Sequence, residues 1–278
     1  MRSWLPTDSP SPPQLDVEVA QAHLRRLLEP FTAVDGQAEL TVADDALVVT
    51  SVDELMVTAV ETSLHQSLCS QYKTAPGNIE FDPIALLDVL AAERDDGELA
   101  HLSYAPEEST LRLALPSFVH TQAVDVDVDV ERPDVDDSPN SATTYHTRDD
   151  LAHALEYFTD HSSVVAFGYD EIDDECYLEA VSTDETVPEA TTRYRCSREQ
   201  LTSSSTPESV RSAFSTAKLG AIIEAVPPET VIRADYADAF PIRLAWDLTG
   251  GRGIDEGTLT EVTALLAPHE VPELTAEE

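Results

Sequence analysis

The chain has 278 residues, 42% of them apolar, and 54 Asp and Glu against 16 Lys and Arg leave a formal charge of −38. That length holds two domains of ordinary size, and an apolar share arranged with clear periodicity excludes a wholly disordered chain. Lysine occurs only at Lys73 and Lys218, so the charge excludes long-range attraction to nucleic acid in dilute salt and reads as a salt-adapted surface, screened where the Debye length falls to roughly 3 Å at 1 M.

Residues 1–14, rich in Pro and Ser and without an apolar run, read as a tail rather than a signal peptide or anchor. Leu15–Val19 alternates like a short strand, and Ala20–Glu29 reads as a helix with Leu24, Leu27, Leu28 and then Phe31 on one stripe, leaving Arg25 and Arg26 off it. Alternating runs at Ala38–Val42, Ala46–Ser51 and Met56–Leu64 read as strands. Phe81–Ala92, FDPIALLDVLAA, is a capped helix: Asp82 is an N-cap type, Pro83 fits the first helical position, and Leu86, Val89 and Leu90 share a face. Strands near Glu98–Tyr104, Thr110–Leu115 and Phe118–Val124 follow.

The second half repeats the first. LEPFT at Leu28–Thr32 returns as LEYFT at Leu155–Thr159, the Phe81 helix returns as FSTAKLGAIIEA at Phe214–Ala225, and LRLA at Leu111–Ala114 returns as IRLA at Ile242–Ala245. The unit is far longer than solenoid repeats, so it reads as a duplicated domain. The expected layout is a tail at 1–14, a domain at 15–124, an acidic linker at 125–141, a second domain at 142–268 and an acidic tail at 269–278. The second copy carries helices at Arg148–Phe158 and Ser215–Ala225. Its strands fall at Val164–Tyr169, Cys176–Ser182, near Thr191–Ser197, and at Thr230–Tyr236, Pro241–Asp247 and Glu261–Leu266. Few helices among many antiparallel strands make the class α+β.

Chemistry is sparse. Cys69, Cys176 and Cys196 are too scattered for a disulfide framework or zinc site, and the eight histidines have no ligand spacing. The linker's Asp125, Asp127 and Asp129 resemble a calcium loop, but Val130 stands where such a loop needs Gly, so a solvated acidic connector is expected. No nucleophile elbow, phosphate loop or zinc-protease motif occurs, and TGGRG at Thr249–Gly253 lacks the strand–turn–helix setting of a dinucleotide site. The expectation is therefore a protein that is not an enzyme, with no cofactor and no metal. No run of 18 apolar residues occurs, so no membrane span and a cytoplasmic, reduced setting are expected.

Several stretches together resemble the sliding clamps of the PCNA family, from about Leu15 to Pro268. They are HLRRLLEPF at His23–Phe31, SVDELMVTAVETSL at Ser51–Leu64, the two Phe-led helices, and FPIRLAWDL at Phe240–Leu248 followed by LLAPHE at Leu265–Glu270. The resemblance implies two similar domains per chain, sheets outside and helices lining a hole, and three chains closing head to tail around duplex DNA. It implies a processivity factor that tethers DNA polymerase, clamp loader, ligase or nuclease peptides. Carried over, Arg25, Arg26, Arg148 and Lys218 face the DNA, although Ala85, Asp88 and Glu224 stand where clamps often carry lysine. The partner-peptide pocket falls on Val52, Met56, Val57, Ala59, Val128, Pro241, Leu265, Ala267 and Pro268. The subunit interface falls on Phe118, His120 and Ala123 against Thr192, Arg193, Tyr194 and Arg195, whose arginines are expected to meet acidic groups opposite. The competing reading is an acidic clamp-like interaction protein that does not encircle DNA.

Overall fold

The computed structural model describes residues 14–34, 36–93, 97–126, 130, 141–173, 175–181, 192–195, 209–248 and 260–269. The first half runs β1 (Gln14–Ala20), α1 (Gln21–Leu28), β2 (Ala38–Val42), β3 (Ala46–Val52), β4 (Thr58–His65), β5 (Cys69–Ala75), β6 (Gly77–Phe81), α2 (Pro83–Ala92), β7 (Leu99–Ala105), β8 (Thr110–Ala114) and β9 (Val119–Ala123). A short β10 (Asp125–Val126) follows. The second half runs β11 (Ala142–Thr147), α3 (Arg148–Thr159), β12 (Val164–Asp170), β13 (Glu175–Val181), β14 (Arg193–Arg195), β15 (Val210–Ser215), α4 (Thr216–Glu224), β16 (Val231–Tyr236), β17 (Ile242–Asp247) and β18 (Glu261–Leu266).

Local chemistry starts three of the helices. Asp82 Oδ1 accepts from the amides of Ile84 and Ala85 at 2.9 and 3.1 Å, with Pro83 at the first position of α2. Ser215 Oγ accepts from Lys218 N at 3.4 Å on α4, and Thr147 Oγ1 from Asp150 N at 3.1 Å on α3. Such caps contribute about 1 kcal/mol each. Helix α1 has no side-chain cap; burial of Leu24, Leu27 and Leu28 holds it, and it passes into a 3-10 turn at Glu29–Ala33 containing Pro30.

Three sheets carry the described residues. The five-stranded one has the order β5-β1-β7-β8-β9 and the four-stranded one β14-β13-β12-β15. The nine-stranded one, β10-β6-β2-β3-β4-β18-β17-β16-β11, crosses from one half to the other through an antiparallel ladder between β4 and β18, with Val262 opposite Thr62 and Leu266 opposite Thr58. Helices α1 and α2 pack on each other, α3 and α4 likewise, and α4 also touches the 3-10 turn of the first half. One buried cluster runs through both halves, from Leu24, Phe31 and Leu90 to Phe214, Tyr236 and Trp246. Phe167 meets the rings of Phe214 and Tyr236 edge-on at 6.1 and 5.6 Å.

Four strands have no alternating apolar signature. β5 is an edge strand, half-exposed along its length. β6 at Gly77–Phe81 and β15 at Val210–Ser215 lead directly into capped helices. β11 turns Thr144 and His146 inward beside Ala142, so most of its buried face is polar. Of the acidic connector, Val126 pairs with Ile79 and the Val130 amide donates to Glu39 Oε2 at 2.9 Å; 127–129 and 131–140 lie outside the described residues.

Candidate functional site

The helix surface comes first. The buried leucines of α1 put His23, Arg25 and Arg26 on its other side. Arg25 Nη2 donates to the Leu90 carbonyl at 2.7 Å, so its guanidinium sits at the C-terminal end of α2, where the helix dipole favours a cation. Burial, and then the neighbouring Arg26, pull the His23 imidazole below its usual pKa. Arg148 opens α3 and lies 3.3 Å from Asp149 Oδ1. It lines a cleft of about 530 Å³ with Glu29 and Thr32 of the first half and Glu224–Pro228 of the second. Asp88 and Glu224 are exposed on α2 and α4.

Lys218, expected to face DNA, is committed elsewhere: its Nζ lies 2.8 Å from Asp53 Oδ2, across a separation of 165 residues. Asp53 is only 6% exposed. Its other oxygen accepts from the Val57 amide at 2.7 Å, and its backbone bonds both Thr58 O and Met56 N. Burial alone would raise this carboxyl's pKa, but the Lys218 ammonium and the Val57 and Thr58 amides outweigh it and hold the pKa below the usual range. The tied loop carries Met56 at φ 54°, a left-handed conformation, and presents Leu55, 83% exposed, beside a half-exposed Met56.

The expected peptide pocket lies beside that loop. Val52, Ala59 and Leu265 stand in one cross-strand row over β3, β4 and β18. They share the face opposite the buried Val60, Ala264 and Leu266, because paired residues point the same way. The Ala267 amide donates to Val57 O at 2.7 Å, bringing Val57, Ala267 and Pro268 together, and Pro241 leads into β17 one residue before Ile242, which faces Leu266. Val128 lies outside the described residues. Leu55 and Phe240, both exposed there, were not singled out from the sequence; in each case the signal is a large apolar residue within a turn.

The remaining expected residues sit on sheet edges. β9 closes the five-stranded sheet and β14 the four-stranded one, so among the described residues each presents an unpaired ladder. Phe118 and Val119 are 42% and 60% exposed. His120 faces Leu113 across the ladder, and its Nε2 is buried with no hydrogen-bond partner among the described residues. Ala123 ends β9 opposite Thr110, and Thr192 accepts from the Ala180 amide. The arginines already have acidic partners on their own sheet: Arg193 Nε lies 2.8 Å from Glu179 Oε2 and Arg195 Nε 3.2 Å from Glu175 Oε1. Arg193 also lies over the Tyr177 ring, 4.2 Å from its centroid. Gly168 makes room for that ring, because a Cβ there would fall 2.1 Å from Tyr177 Cζ. Tyr194 packs inward against the core.

Among the described residues no group of three or more His, Cys, Asp or Glu converges as a metal site, and no helix is long and apolar enough to cross a membrane. No family model matches the chain. It is 26% identical over 251 residues to the DNA polymerase sliding clamp of Haloarcula marismortui, covering 88% of this chain and 94% of that protein. It is 24% identical over 246 residues to that of Halobacterium salinarum, with the same coverage. Among solved structures it resembles A. fulgidus PCNA bound to the C-terminal region of FEN-1, with a TM-score of 0.75, 19% identity, and 93% of this chain and 100% of that one covered. It also resembles PCNA from Thermococcus kodakaraensis, with a TM-score of 0.74, 17% identity and coverages of 92% and 100%.

Proposed function

We propose that this chain, a sliding clamp of the PCNA family, closes with two further copies into a ring around duplex DNA and tethers replication and repair enzymes to it. One observation carries the reading. Within the chain, the halves are joined by β4 against β18, and the strands in the corresponding places, β14 and β9, end their sheets without a further partner strand among the described residues. Each copy thus offers two edges of the kind it has already joined once internally. The protein does no chemistry of its own and works in the cytoplasm. Polymerase, clamp loader, ligase or nuclease peptides seat their apolar anchors beside the Val52–Ala59–Leu265 row, with Leu55 and Met56 at its margin. The exposed margin suits an adaptable binding surface.

The domain division follows the same repeat: 15–124 and 142–268, with an acidic connector between them. Arg26 and Arg148 supply cations toward the DNA, while Arg25 and Lys218 spend hydrogen bonds on holding the helix layer together. The small number of cations on this helix layer, with Asp88 and Glu224 exposed on α2 and α4, favours a second reading, an acidic clamp-like interaction protein that does not encircle DNA.

Retention on DNA across a salt series separates the two. Ordinary phosphate contacts weaken as salt rises. Here screening relieves repulsion between subunits that each carry −38, so retention on nicked circles should rise with salt and disappear when the circle is linearised. Equal retention on both forms, or none on either, would remove the ring from the proposal.

A further inference from the structure

β14 occupies the place of β4, and β9 that of β18, and the ladders make the correspondence residue by residue. Ala38 faces Phe81 as Val165 faces Phe214, so Leu40 corresponds to Phe167. Leu40 faces Val49 and Val49 faces Thr62; Phe167 faces Leu178 and Leu178 faces Tyr194. Tyr194 is therefore the counterpart of Thr62. On the other edge Leu113 corresponds to Leu244 through the LRLA and IRLA repeats. Leu113 faces His120 and Leu244 faces Ala264, so Phe118 is the counterpart of Val262. Within the chain, Val262 stands opposite Thr62.

We infer that the joint between copies repeats this internal register, setting Phe118 of one copy opposite Tyr194 of the next, Val119 opposite Arg193 and His120 opposite Thr192. The inference rests on the ring proposed above and adds its register. Three observations agree with it. Residues paired across a ladder share a face, and a slip of one would put them on opposite faces. His120 faces the fully buried Leu113, so Phe118, two residues away, points to the core side; Tyr194 faces the fully buried Leu178 and points the same way. Next, the Ala267 amide donates to Val57 O, which makes that a hydrogen-bonded pair. Alternation along the ladder then makes Thr62 and Val262 a non-hydrogen-bonded pair, the type with side chains closest together. Phe118 and Tyr194 inherit that spacing, which suits two aromatic rings. Finally, the pairing gives each exposed group a partner: Val119 lies along the stem of Arg193, and the buried, unpartnered Nε2 of His120 meets the Thr192 hydroxyl.

Disulfide trapping tests it in the full chain, with Cys69 and Cys196 replaced by Ser. Phe118→Cys with Tyr194→Cys should oxidise to a covalent species of three chain masses, since Cα atoms of such a pair sit about 4.5 Å apart, within disulfide range. The slipped pairs, His120→Cys with Tyr194→Cys and Phe118→Cys with Thr192→Cys, should give none. Molar mass of the unmodified protein in molar salt is measured alongside. A three-chain mass with trapping only through a slipped pair would overturn the register and leave the ring intact. A single-chain mass at high protein and salt concentration would overturn both.

Discussion

His146 is a buried base with one satisfied nitrogen. Its Nε2 lies 2.8 Å from Thr144 Oγ1, and its ring meets Phe167 edge-on at 6.3 Å. Burial lowers its pKa to about 4, with Asp150 opposing the shift. The unfolded chain binds this proton below about pH 6.5, while the folded chain resists until about 4. Between those values the unfolded state holds more protons, so this contribution to stability is present above pH 6.5 and is lost as pH falls. By pH 5 the loss is about 2 kcal/mol. His146→Gln keeps a hydrogen-bonding group near Thr144 and removes the titration. Denaturant melts at pH 7 and pH 5 should show the wild type losing about 2 kcal/mol more than the variant. Identical losses would mean that His146 does not govern this limb; the carboxylates are common to both proteins and drop out of the difference.

At the scale of elements, Asp53 ties the β3–β4 loop to helix α4. Removing Lys218 leaves a nearly buried carboxylate without its cation, and part of the lysine is solvated, so the cost of Lys218→Ala should be about 2–3 kcal/mol. With Asp53→Asn and the double variant, a thermodynamic cycle should give a coupling above about 1 kcal/mol; a value near zero would make the pair incidental. Lys218→Ala should also weaken binding of a partner peptide, because the same carboxylate accepts from the Val57 amide and so fixes the loop that holds Met56 at its left-handed φ. The helices α2 and α4 were legible because their caps are local: Asp82 and Ser215 act within a few residues. Lys218 was readable only as a cation on a polar helix face, since its partner is distant in sequence. The arginines of β14 likewise gave no sign that Glu179 and Glu175 hold them, for those contacts depend on the register in which β14 pairs with β13. β5 and β11 carry no such sign for a different reason: one is a half-exposed edge, and the other buries threonine and histidine with a single alanine.

For the whole molecule, the ladder between β4 and β18 changes what the acidic connector is for. Two halves that shared only a tether would drift apart when it was severed. These share a nine-stranded sheet and a single buried cluster, so the peptide bond between Asp134 and Val135 raises the local concentration of the halves without supplying their cohesion. The chain is in effect two proteins that happen to be translated together. Co-expressed as residues 1–134 and 135–278, they should co-purify in equal amounts in molar salt and unfold together, with the six pieces of a full assembly meeting through six ladders of one kind. Pieces that elute separately would show that covalent linkage, and not the shared sheet, keeps the halves in register.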